Sequence, residues 1–165
     1  MSSTPKVMDA RLEALMVKLT PANTIKSTCQ ANKAQQLQTA SMQVKQFVDS
    51  VMEPTLKYID SMVRASADLS PDSDYILLMH EAVFRQWTVT IDESLYAAFN
   101  ESRGGGYCKN LEGVVTVANF PFKAVNIVLE QLRPVLEARG YHLQLCMRYS
   151  SSCEHSCFNI IWGRD

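Results

Sequence analysis

The sharpest chemical candidate in the sequence is Cys153-Glu154-His155-Ser156-Cys157, with Cys146 seven residues upstream. Thiolate and imidazole ligands gathered on a hairpin can close a tetrahedral zinc site, and His142 is close enough in sequence to approach it. Structural zinc sites usually carry paired Cys-x-x-Cys knuckles, which this chain lacks. Cys146 also fits a strand as a small apolar residue. Ordinary thiols therefore rank ahead of a metal site at Cys146, Cys153, His155 and Cys157, and no cofactor is assigned. A disulfide from Cys157 to Cys153 or Cys146 would need an oxidising environment and Cα atoms within about 7 Å.

Other chemistry-bearing residues give less. Cys108 beside Lys109, after Gly104-Gly105-Gly106, could hold a thiol of lowered pKa, but no histidine nearby in sequence would activate it, and an exposed loop cysteine is the simpler reading. The triple glycine has no Gly-Lys-Ser/Thr ending and reads as a linker. His80-Glu81 would begin a zinc-protease motif only with a histidine at position 84, which is Phe84. Glu81, Asp92 and Glu93 read as a solvated helix face and a cap, so no catalytic residue is assigned.

The elements that must carry these residues follow from periodicity. Residues 7–19 place Met8, Leu12, Leu15, Met16 and Leu19 on one helical face, ended by Pro21 and Asn23. Residues 25–67 are periodic through Ala34, Leu37, Ser41, Val44, Val48 and Val51, which predicts one helix, or two meeting at Glu53-Pro54. That seam is too poor in large residues for an autonomous coiled coil and predicts packing on the domain or on another subunit. The acidic loop 68–74 starts a predicted helix over 74–86, and Asp92 caps another through Ala98.

In the last third, residues 114–117 read as a strand and 122–139 as a helix ended by Gly140. Tyr141, Leu143, Leu145, Met147 and Tyr149 alternate with polar residues, and Phe158, Ile160 and Trp162 do likewise, giving two strands of a hairpin. The fold class is thus α+β, a helical N-terminal part followed by a strand-helix-β-hairpin unit with the helix packed on a small sheet. One domain spans 1–165. A soft internal boundary near 103–110 divides a mainly helical 1–102 from an α+β part, 111–165.

Composition sets the remaining bounds. The 165 residues are 47% hydrophobic and 20% charged, which suits a single ordered core. Apolar runs fall well short of the roughly 20 residues of a membrane span, and the first residues lack the apolar stretch of a signal peptide and the glycine of a myristoylation site. Five cysteines, an odd number, fit free thiols in a reducing, cytoplasmic compartment. The sequon Asn100-Glu101-Ser102 then carries no meaning. Net charge is −1, with an excess of basic residues up to Ala67 and of acidic ones from Asp68 to Glu112. Because the lysines are spaced singly, nucleic acid ranks below protein as a partner.

The ending 132–162, with a long helix, Gly140-Tyr141, a strand, a polar loop and Phe158-Asn159-Ile160-Ile161-Trp162, resembles the tails of small structural or uncharacterised proteins of large double-stranded DNA viruses. That resemblance implies a minor virion (capsid) protein, placed in the host cytoplasm or the virion, and brings no catalytic motif. The leading expectation is a non-enzymatic structural or protein-interaction component whose partners are other subunits of an assembly, with no small-molecule substrate evident. Its rivals are a thiol- or zinc-dependent enzyme or redox protein using the C-terminal cluster, and a nucleic-acid-binding module.

Overall fold

The computed structural model describes residues 9–145 and 156–163. The fold is α+β. Its elements run α1 (Ala10–Met16), α2 (Ala22–Leu69), β1 (Tyr75–Met79), α3 (His80–Phe84), α4 (Glu93–Glu101), α5 (Phe120–Ala138), β2 (His142–Gln144) and β3 (Cys157–Ile161). The chain divides into two compact units, Met1–Gln36 and Leu37–Asp165. No helix among the described residues is long and apolar enough to cross a membrane.

In the first unit, Asp9 caps α1 by accepting the Leu12 amide at 2.9 Å. No residue of α1 is buried.

In the second unit α2 buries Ala40, Val44, Phe47, Val48, Val51, Thr55, Ile59 and Val63. Of the predicted seam, Val44, Val48 and Val51 are in the core, whereas Ala34 and Leu37 are exposed and Ser41 is half-buried. The helix runs through Pro54 without a restart. The bond lost there is the one to the Ser50 carbonyl, and Ser50 is exposed, so water can serve that carbonyl. One residue on, buried Thr55 donates to the Val51 carbonyl at 2.7 Å and accepts the Trp87 indole N–H at 2.8 Å.

β1 corrects the helix predicted over 74–86. Only His80–Phe84 is helical, and Tyr75–Met79 is a strand. It pairs antiparallel with β3, Tyr75 opposite Ile161 and Met79 opposite Cys157, and β3 pairs antiparallel with β2, His142 opposite Ile161. The sheet order is β1-β3-β2, so its strands come from both sides of the triple glycine.

The strand predicted over 114–117 does not form. Both backbone groups of Val115 are taken by the side-chain amide of Asn100, which accepts the amide N–H at 2.7 Å and donates to the carbonyl at 3.0 Å. The Thr116 N–H goes to Asn119 Oδ1 at 2.8 Å. A side chain thus satisfies the groups that a neighbouring strand would otherwise pair.

α5 forms where the apolar period predicts it. Pro121 falls in its first turn, where a missing N–H costs little, and Pro134 lies inside it. Gly140, at φ 86°, closes it: the Tyr141 N–H reaches the Leu136 carbonyl and the Gly140 N–H that of Glu137, both at 3.0 Å. Leu129, Leu132 and Leu136 join Leu143, Phe158 and Ile160 in one core, with Leu145 packed against it. Leu132→Ala is expected to cost about 2–5 kcal/mol in urea unfolding as a buried cavity. A loss below about 0.5 kcal/mol, the size of a surface change, would contradict the packing of α5 on the sheet.

Candidate functional site

The sequence singled out Cys146, Cys153, His155 and Cys157. The first three lie outside the described residues. Cys157 begins β3, half-buried and opposite Met79. His142 lies opposite Ile161, four residues along β3 from Cys157, so the two are about 13 Å apart at the rise of a strand. That separation prevents His142 and Cys157 from sharing a metal ion. Among the described residues no group of three or more His, Cys, Asp and Glu side chains could hold one.

Cys108 is neither exposed nor activated. The triple glycine does not run out as a linker but turns into a short 3-10 segment, Gly106–Cys108, with the Gly104 N–H on the Cys108 carbonyl at 3.0 Å. The thiol is fully buried and receives the Ser102 hydroxyl at 3.3 Å. Burial pushes its pKa up, and the Ser102 bond opposes this only in part. Asp92 caps α4 as expected, accepting the Leu95 amide at 3.0 Å, and Glu81 is an exposed partner of Arg85.

The buried polar group that sequence reasoning missed is His80. It is 1% exposed, its ring lies 4.9 Å from that of Phe122 and 5.3 Å from that of Phe158, and Nε2 shares a 2.6 Å hydrogen bond with Asn126 Oδ1. Nδ1 has no well-formed hydrogen bond. The backbone of His80 donates to the Ser156 carbonyl at 3.0 Å, which fixes the start of α3 beside β3. Burial pulls the pKa below 6.5, while Asn126 and the Ser156 backbone pull it up less strongly.

Phe122 and Asn126 also face a wide groove of about 1080 Å³ that runs along α5 and past residues 106–114. Lys123 lines it and donates to the Glu112 carbonyl. Burial first, then the charge of Arg103, lowers the pKa of that amine, and Glu112 raises it. Glu130 on the same helix is held below the usual carboxylate range by its bidentate bonds to Arg133, at 2.9 and 3.0 Å. No Ser, Thr, Cys or His is among the groove's described lining residues. Chemically this is a surface of mixed polarity, with four side-chain amides and one partly desolvated lysine. A second groove, about 370 Å³ and apolar, lies between α2 and α5 over Leu56, Ile59, Val63, Val135 and Leu136.

The chain matches no protein-family model, and no curated protein or solved structure is significantly similar to it.

His80 makes a pH prediction. Its folded pKa lies below 6.5, so the unfolded chain takes up the proton first as pH falls. The stability contributed by the neutral ring is full above that unfolded value and is lost as pH drops through the folded pKa. The unfolding free energy from urea titrations should decline below about pH 6.5, with a slope of at most about 1.4 kcal/mol per pH unit from this group. His80→Gln should flatten that decline, and an unchanged decline in the variant would assign it to other groups.

Proposed function

We propose that this protein is a non-enzymatic interaction or structural component of a larger assembly, engaging partner proteins through the helical segment ahead of Leu37. One observation carries the reading. From Asp9 to Thr39 no residue is buried, although the segment is largely helical and its exposed residues include Leu12, Leu15, Met16, Leu19, Ile25 and Leu37.

Isolated helices below roughly 12–15 residues are marginal in water and owe most of their stability in proteins to an apolar face buried against something else. α1 has 7 residues. Leu12, Leu15 and Met16 of α1, with Leu19 in the turn just beyond it, have the sequence spacing of the anchors of a helix that binds in a groove. A partner surface supplies the burial that this segment lacks by itself. The concrete form of the proposal, a minor virion protein, rests on the viral resemblance of residues 132–162.

Hydrogen exchange on the free chain and on the chain recovered in its native assembly tests this. In the free chain the amides of α1 and of residues 22–36 should exchange fast while those around Val48 and Val128 stay protected. In the assembly the first set should gain protection by an order of magnitude or more. Fast exchange of that segment in both states would remove the docking role.

A further inference from the structure

The two edges of the sheet are built differently. On β3 the Trp162 N–H reaches the Asp74 carbonyl at 2.7 Å, and the His80 N–H reaches the Ser156 carbonyl at 3.0 Å. In an antiparallel ladder the bonded residues alternate, so Asp74, Ile76, Leu78 and His80 turn their backbone groups toward β3. Tyr75, Leu77 and Met79 turn theirs to the open side. The Ser73 hydroxyl, which donates to the Tyr75 carbonyl at 2.8 Å, confirms that direction. By the same alternation Leu143 on β2 turns its backbone groups away from β3, and there Arg133 caps the carbonyl at 2.8 Å.

The β2 edge is thus short, polar at His142 and Gln144, and covered by a guanidinium. The β1 edge is Tyr-Ile-Leu-Leu-Met, with no charge, proline or bulge, and the neutral Ser73 hydroxyl on the Tyr75 carbonyl leaves that oxygen a second lone pair for a strand partner. No strand among the described residues pairs with it. On the face of the sheet opposite buried Leu78, Tyr75 is 53% and Leu77 56% exposed. Native sheets blunt a free edge with charge, proline or cover, as this one does at β2, because a bare apolar edge pairs with another strand.

We infer that β1 pairs with β1 of a second copy of this chain, antiparallel about a two-fold axis at Leu77, joining two three-stranded sheets into one. The sequence of β1 is self-complementary in that register. Tyr75 stands opposite Met79, Ile76 opposite Leu78, and Leu77 opposite itself, so each side chain meets an apolar one and no like charges face each other. The residues with outward backbone groups are the ones that fall in hydrogen-bonded positions, and the Leu77 pair exchanges both of its bonds. The guarded β2 edge stops the pairing at a closed dimer. This inference stands apart from the docking role of the N-terminal segment, because it uses neither α1 nor the start of α2.

Sedimentation equilibrium of the full chain at concentrations up to about 100 µM tests it, beside Leu77→Lys and Leu77→Thr. Leu77→Lys places two ammonium groups together on the axis, at a side chain already exposed. The wild type should reach the mass of a dimer, and the lysine variant should remain a monomer with at least a tenfold weaker association. Leu77→Thr keeps a strand-forming residue and removes only the apolar pair, so it should weaken the dimer partially. It decides the matter if the lysine variant proves unfolded. A wild type that stays monomeric, or a dimer indifferent to the folded variants, would overturn the inference, and the second result would move association to another surface.

Discussion

Phe120, fully buried at the first turn of α5, meets the rings of Phe47, Phe84, Tyr96 and Phe99 at centroid distances of 6.0, 6.0, 4.8 and 5.3 Å. Those rings belong to α2, α3 and α4, so one side chain ties four helices together. Edge-to-face and tilted geometries prevail, and such pairs add about 0.5–1.5 kcal/mol each beyond the area they bury. Phe47 extends the cluster to Trp87, whose indole is held by Thr55 beside Pro54. Fixing Phe120 fixes the start of α5, and α5 then presents Leu129, Leu132 and Leu136 to the core shared with the sheet.

The sheet in turn sets where His80 and the open edge fall. β1 runs directly into α3, so His80 is the residue at which the chain leaves the sheet, and Phe122 and Phe158 close over its ring. A buried histidine with one strong amide bond is tolerated there because it stays neutral. The same crossing leaves β1 at the rim, with β3 in the centre and β2, capped by Arg133, at the far side.

Much of this was legible in the sequence where local rules act alone. The period of α5, its stop at Gly140, the alternation along β2 and β3 and the Asp92 cap depend on neighbours within a few residues. β1 departs from the helix its sequence predicts because a short apolar run before helix-compatible residues has no period that distinguishes strand from helix. Residues 114–117 depart from expectation for the opposite reason: their β-branched composition suits a strand, but the partner of Val115 is the Asn100 side chain, 15 positions away. The α2 seam was legible at Val44, Val48 and Val51, whereas buried Thr55 has a polar side chain that gives no core signal until Trp87 is known to face it. Cys108 and His80 were likewise invisible as buried groups, since burial is decided by elements distant in sequence.

The central claim is that the core gathered around Phe120 carries the stability of the second unit, while the segment ahead of Leu37, in which no described residue is buried, adds little to it. Urea unfolding of Phe120→Ala and Leu12→Ala in the free full-length chain tests it most directly. Phe120→Ala should lose about 3–5 kcal/mol and Leu12→Ala less than about 0.5 kcal/mol. Comparable losses from the two substitutions would contradict the account, because Leu12 would then belong to the cooperative core of the free chain.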